Sequence, residues 1–161
     1  FNNNSVDTTD LRFLTPEDYE RVKRYTISSE DVYISIAGTI GLVGAVPEDL
    51  DEANLTENAA KLVVRDKGIL LKHFLVYALA SEGGQAEIRQ RATKTSQPKL
   101  ALMRIKQIPI PLPLPVEQQQ IADVLSATDR KIAAEEQHKA ALQALFKTML
   151  HQLMTGQLRL S

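Results

Sequence analysis

No cysteine occurs among the 161 residues. That excludes disulfides, thiolate nucleophiles and cysteine-ligated zinc together, and it fits a reducing, cytoplasmic compartment. No apolar run approaches the ~20 residues a membrane-spanning helix needs, and the opening Phe1-Asn2-Asn3-Asn4 is unlike a signal peptide. A membrane partner is not expected. An initiator methionine is also missing, which reads as a piece of something longer. Catalytic patterns are equally scarce. His73, His138 and His151 fall in separate stretches without metal-ligand spacing to carboxylates. There is no GxSxG elbow, Walker lysine, HExxH or Rossmann glycine fingerprint. The paired acids Glu135-Glu136 and Asp51-Glu52 stand on polar stretches and read as solvated faces. No enzymatic activity, metal or cofactor is expected.

What is present is ordinary for a folded chain: 43% hydrophobic residues, and a length that suits one modest domain with an appendage. The formal net charge of −1 hides a segregation. In residues 1–60, Asp7, Asp10, Glu17, Asp18, Glu20, Glu30, Asp31, Glu48, Asp49, Asp51, Glu52 and Glu57 oppose only Arg12, Arg21, Lys23 and Arg24. In residues 88–106 every charged side chain is positive: Arg89, Arg91, Lys94, Lys99, Arg104 and Lys106. Such a segment is either a phosphate-binding surface or a solvated face neutralised by acids nearby in space.

The local pattern predicts a small α/β (α+β) domain. Thr15-Pro16-Glu17-Asp18 is a helix start, with an N-cap, a proline at the first position and acids at the positive end of the dipole, so a short helix runs to about Val22. Val32 to Ala37 and Leu42 to Val46 flank the turn Gly38-Thr39-Ile40-Gly41 as a β-hairpin. The turn is a tight structural loop rather than a phosphate cradle, since it lacks the lysine and helix of a P-loop. Lys61 to Arg65 reads as a further strand. Leu70 to Ala80 reads as a helix with Leu71, Phe74, Leu75, Ala78 and Leu79 on one face, and Gly83-Gly84 breaks the chain before a polar helix at about residues 85–90.

Pro109, Pro111, Pro113 and Pro115 alternate with Ile110, Leu112 and Leu114, which forbids a helix and predicts an extended strap over 109–116 leaving a domain of residues 1–108. From Glu117 to Thr155 neither proline nor glycine appears, and Gly156 stands where a left-handed cap belongs, so one long helix covers 117–156 ahead of a short tail, 157–161. At a rise of ~1.5 Å per residue it spans roughly 58 Å. Ile121, Leu125, Thr128, Ile132, Glu135, Lys139, Leu142, Phe146, Met149 and Leu153 recur at alternating steps of four and three, a heptad seam that predicts a coiled-coil partner.

Four segments together resemble the C-terminal part of a type I restriction-modification specificity subunit. Val32-Tyr33-Ile34-Ser35-Ile36-Ala37-Gly38-Thr39-Ile40-Gly41 is similar to that family's hairpin entry, and Asn54-Leu55-Thr56-Glu57-Asn58-Ala59-Ala60 to the segment after it. Ile108 to Pro113 followed by Glu117-Gln118-Gln119-Gln120-Ile121-Ala122 is similar to its proline run and helix start, and Leu153 to Leu160 to its usual C-terminus. Two departures are visible: Leu114-Pro115 inverts the usual paired prolines, and Lys94 stands where a glycine is frequent. The resemblance implies a chain that begins inside a target-recognition domain whose first strands precede Phe1. It further implies a cytoplasmic, non-catalytic DNA-specificity component that directs separate modification (methyltransferase) and restriction subunits to a split site on double-stranded DNA, with long helices paired antiparallel as a spacer.

On this reading Arg89, Arg91, Lys94 and Lys99 face phosphates. Gln97 presents the paired donor and acceptor that suit adenine in the major groove, or else forms a plain turn with Pro98. Thr95 and Ser96 bond to a base or a phosphate; Thr39 and Asn58 are weaker candidates, because small polar residues beside glycines usually serve their own backbone. For the isolated chain the seam predicts an antiparallel homodimer. The rival is a truncated structural adaptor that keeps the pairing helix and has no specific DNA binding.

Overall fold

The structure is a computed structural model that describes residues 6, 8 and 11–159. Residues 1–4, Asp7, Asp10 and Leu160, named above, lie outside the described residues. The chain divides into two compact units, one ending at Ala122 and one beginning at Asp123, so the first unit runs past the expected edge at residue 108.

In the first unit, α1 (Pro16–Val22) starts as expected, with the Thr15 hydroxyl oxygen accepting from the Asp18 amide at 3.2 Å. A 3-10 turn follows at Lys23–Tyr25. Strands β1 (Val32–Ser35), β2 (Val43–Ala45) and β3 (Ala59–Leu62) form an antiparallel sheet in the order β2-β1-β3. The central strand is buried on both faces. Val32 and Ile34 join Val43, Leu75, Leu79, Ile88 and Leu100 in the main core, while Tyr33 points the other way to Ile27, Val46 and Leu50. Tyr33 fits because its partner in register is Gly44, where a Cβ would stand 2.2 Å from the phenol oxygen. Full burial of a side chain such as Ile34 contributes about 1.5–3 kcal/mol.

The third strand departs from the sequence reading: it begins at Ala59 rather than Lys61, ends at Leu62, and leaves Val63 59% exposed. Register explains this. Leu62 pairs with Val32, the first residue of β1, and the chain before Val32 turns away, with the Asp31 amide bonded to the Ser28 carbonyl at 2.8 Å. Val63 therefore has no strand to pair with, whatever its β-propensity.

Helix α2 (Lys72–Ala80) buries Phe74, Leu75, Val76 and Leu79. Helix α3 (Glu82–Arg91) overturns the expected break at Gly83-Gly84. The break is at Ser81, whose hydroxyl caps the helix by accepting from the Gly84 amide at 3.1 Å, and both glycines lie in the first turn. Gly84 is there for close approach: a Cβ would fall 2.3 Å from the Ala78 carbonyl oxygen and 2.6 Å from that of Leu79. A one-turn helix that the sequence reading missed, α4 (Leu102–Ile105), buries Ile105.

Helix α5 (Pro115–Met154) begins two residues before the expected Glu117, because a proline suits the first turn, where its missing amide hydrogen has no role. Its first turns belong to the first unit, where Gln118 is fully buried. The Gln118 amide nitrogen donates to the carbonyls of Ile69 (2.8 Å) and Pro113 (2.9 Å), and its oxygen accepts from the Leu71 amide (2.9 Å). The second unit holds the rest of α5 and its cap, Gly156 at φ +72°. Its seam is solvent-facing in the single chain, with Ile132 52% and Phe146 68% exposed.

The two glycines of α3 should respond oppositely to alanine. Gly84→Ala is expected to destabilise the domain by about 1–3 kcal/mol, because backbone atoms must move. Gly83→Ala, whose Cβ would meet only the Ser81 hydroxyl at 3.9 Å, should be neutral or stabilise by up to about 1 kcal/mol. Urea midpoints at constant slope check this; equal effects would refute the close-approach account.

Candidate nucleic-acid interface

The recognition candidates gather where β1 runs out of sheet. Beyond Ser35 the backbone amides of Ile36 and Ala37 bond to the Asn58 carbonyl at 2.8 and 3.3 Å, which places Asn58 beside the end of β1. Ala37 also forms an isolated bridge with Lys99, and the Leu100 amide bonds to the Ile36 carbonyl at 2.9 Å. These bonds bring the 93–99 loop to the same end. The Gly38–Gly41 turn, carrying Thr39, is closed by Ser35: its hydroxyl donates to the Thr39 carbonyl at 2.5 Å and accepts from the Leu42 amide at 2.9 Å. Helix α3, carrying Arg89, reaches the turn through Gln85, whose amide nitrogen donates to the Gly41 carbonyl at 2.9 Å.

The loop itself is closed rather than open-ended. The Thr93 amide bonds to the Lys99 carbonyl at 2.9 Å, the Lys99 amide to the Thr93 hydroxyl at 2.9 Å, and the Thr95 hydroxyl to the Gln97 carbonyl at 2.9 Å. Lys94, Thr95, Ser96, Gln97 and Lys99 are all exposed on it, as are Arg89, Thr39 and Asn58 around it. Asn58 and Thr39 serve the fold through their carbonyls, leaving exposed side chains at the surface. Glu57, exposed next to Asn58, sets one negative charge near the same end.

Arg91, unlike the other candidates, is engaged inside the domain. One terminal nitrogen pairs with the Glu87 carboxylate and bonds to the Glu87 carbonyl at 3.2 Å, and the other donates to the Gln107 carbonyl at 3.0 Å. Half-buried, it ties α3 to the segment after α4, and Arg104 reinforces this by donating to the Arg91 carbonyl at 2.8 Å. Sequence reasoning missed this because the all-positive window began one residue after Glu87; the four-residue spacing to Arg91 was the available signal. Gln85 was missed too, and a half-buried amide after two glycines gives no sequence signal.

Among the described residues the ion pairs are Arg21–Asp18, Lys23–Glu20, Lys67–Glu30 and Arg91–Glu87, so Arg91 alone of the basic segment takes part. Among the described residues, the acids of the first sixty positions therefore do not neutralise Arg89, Lys94 or Lys99 by direct pairing. At the opposite end of β1, the hydrogen bond and charge of Lys67 hold the Glu30 carboxyl below its ordinary range, with Lys72 and His73 adding to the effect. No group of three or more possible metal ligands occurs among the described residues.

A family model described as the type I restriction modification DNA specificity domain matches residues 1–144. The chain is 28% identical over 151 residues to the type I restriction enzyme MjaVIII specificity subunit of Methanocaldococcus jannaschii, an alignment covering 89% of this chain and 35% of that protein. Its fold is similar to the S subunit of a type I restriction-modification system from M. genitalium, with a TM-score of 0.61, 19% identity, and coverage of 80% of this chain and 33% of that one. It is likewise similar to the HsdS subunit from Thermoanaerobacter tengcongensis, with a TM-score of 0.58, 20% identity, and coverage of 77% and 32%. The chain spans about a third of the length of each of these relatives.

Proposed function

The chain belongs to the type I restriction modification DNA specificity domain family, and from that membership we propose that the end of the sheet built around Ala37, Asn58 and Lys99 is the face it sets against double-stranded DNA. One observation carries this reading: the turn with Thr39, Asn58 just before β3, the closed 93–99 loop and Arg89 converge on one exposed end, where Arg89, Lys94 and Lys99 have no ion-pair partner among the described residues. Phosphate contacts from these three supply affinity and little sequence information. Gln97 supplies selectivity, its amide offering a donor and an acceptor to one base edge. Thr95 gives its hydroxyl hydrogen to the loop, so its oxygen acts towards DNA as an acceptor. Arg91 supports the surface from behind.

The role is recognition without catalysis. A longer protein of this kind would use such a domain to read half of a split site in the cytoplasm and bring methyltransferase and restriction subunits to it. The exposed seam of α5 is the spacer's pairing face. In the isolated chain it pairs with a second copy, antiparallel about Gln137, setting Ile121 against the partner's Leu153, Leu125 against Met149, Thr128 against Phe146 and Ile132 against Leu142. The charges favour this direction. Glu135 then faces Lys139 twice across the dyad, whereas a parallel pair would set like charges together.

Replacing Lys94 and Lys99 by Ala should weaken binding to all duplexes and flatten the dependence of log affinity on log salt by about one unit per lost contact. Gln97→Ala should change preference at one base position, by about 1–3 kcal/mol, and leave binding to random duplex nearly intact. Fluorescence anisotropy at several salt concentrations reads both; no binding by the unaltered chain would favour the adaptor. For the seam, Glu135→Lys should shift the chain towards monomer in sedimentation, and adding Lys139→Glu should restore the dimer. A double variant no better than the single would defeat the antiparallel pairing.

A further inference from the structure

We propose that Gln85 is a positioning residue for base recognition, locking the Gly38–Gly41 turn to α3 so that sequence preference depends on its amide while general affinity for DNA does not. The inference rests on the DNA reading above. Gln85 touches neither base nor phosphate in it. Its amide nitrogen has two hydrogens, and both are directed at backbone carbonyls of different elements: Gly41 at 2.9 Å, on the turn, and Leu79 at 2.9 Å, near the end of α2. Neither carbonyl belongs to a sheet ladder at that point, so the amide answers two backbone acceptors at once.

The surroundings are shaped for that reach. Gly41 sits at φ +90°, and a Cβ there would stand 3.0 Å from the Gln85 side-chain oxygen and 3.1 Å from Ile88. Only glycine lets the turn come this close to α3. Gly84 does the same one residue earlier, pressing the first turn of α3 onto the end of α2. Side chains thus hold the turn at two points, the Ser35 hydroxyl beneath Thr39 and Gln85 across the gap to α3, beside the backbone bond from the Gly41 amide to the Ser35 carbonyl at 3.0 Å. Arg89 follows Gln85 by one helical turn, and the 93–99 loop follows α3 directly.

A shift of the turn against α3 would move Thr39 relative to Arg89, Lys94 and Gln97. Phosphate attraction tolerates that, because a Coulombic interaction changes slowly with an ångström of displacement. Base hydrogen bonds do not, since they need a donor–acceptor separation of about 2.7–3.2 Å and near-linear geometry. A purely structural clip would lower stability and leave the folded protein's preference unchanged. A positioning residue separates preference from affinity.

The test uses the full chain, with Gln85→Met and Gln85→Leu, which remove both donors without adding a charge beside Arg89. A duplex selected by the unaltered protein from a random library and a scrambled duplex of the same length serve as probes, titrated below the unfolding temperature of each variant. Both variants should bind the scrambled duplex within about twofold of the original with the same salt slope, and lose roughly tenfold in preference for the selected duplex. Retained preference in a folded variant overturns the positioning role and leaves the DNA reading standing. An unaltered protein that binds no duplex overturns both. Should the Gln85 variants not fold, Ser35→Ala removes the other side-chain anchor of the same turn and should show the same loss of preference with kept affinity; preference unchanged there would equally overturn the inference.

Discussion

The last residues of β1 have more backbone to satisfy than the sheet can serve, and the candidate interface follows from that constraint. The ladder ends at Ser35, paired with Ala59. The groups of Ile36 and Ala37 are left to find partners in whatever segment can reach them, because an unpaired polar backbone group is costly when shielded from water. They find Asn58 and, through Leu100 and the Lys99 bridge, the loop after α3. Three segments far apart in sequence are thereby drawn to one point. The proposed recognition surface is the by-product of completing a short strand.

Side-chain amides do similar work elsewhere in this unit. A three-stranded sheet with short strands cannot supply enough ladder bonds to close every segment around it, so Gln85 and Gln118 each bridge backbone groups from two different stretches. Gln118 is the more demanding case, being fully buried. An amide in that position is tolerable only because both hydrogens and its oxygen are engaged. It holds the first turns of α5 to the 69–71 segment and to Pro113, which explains why those turns count with the domain although the long helix looks from its sequence like a separate element.

Features governed by local chemistry were legible in the sequence. The Thr15 cap, the proline at the start of α1, the hairpin around Gly38–Gly41, the uninterrupted α5 and its Gly156 stop each follow from a few neighbouring residues. What was not legible depends on partners distant in sequence. The start of β3 is set by the register of β1 and not by the β-branched run at Val63-Val64. Gly83-Gly84 looked like a chain break because glycine usually is one, yet Gly84 is present for the carbonyls of Ala78 and Leu79. The sign of its charge alone makes Arg91 a candidate phosphate ligand. Its pairing with Glu87 and the Gln107 carbonyl, which gives it partners inside the domain, is visible only in the fold.

On the proposed reading, a domain of this kind can change its target through the side chains of the 93–99 loop. The bonds that close the loop come from the backbone of Thr93, Gln97 and Lys99 and from the hydroxyls of Thr93 and Thr95. None of them uses the side chain of Lys94, Ser96, Gln97 or Lys99. Those four positions therefore carry side chains that can be exchanged without opening the loop, while Leu100, buried immediately after it, keeps the loop seated in the core. Because each new side chain starts from the same closed backbone, a substitution at Gln97 presents different hydrogen-bonding groups from nearly the same place. Surface substitutions of this kind ordinarily alter stability by no more than about 0.5 kcal/mol. On the proposed reading, fold and target are set by different atoms of the same residues, the backbone holding the loop and the side chains facing the groove.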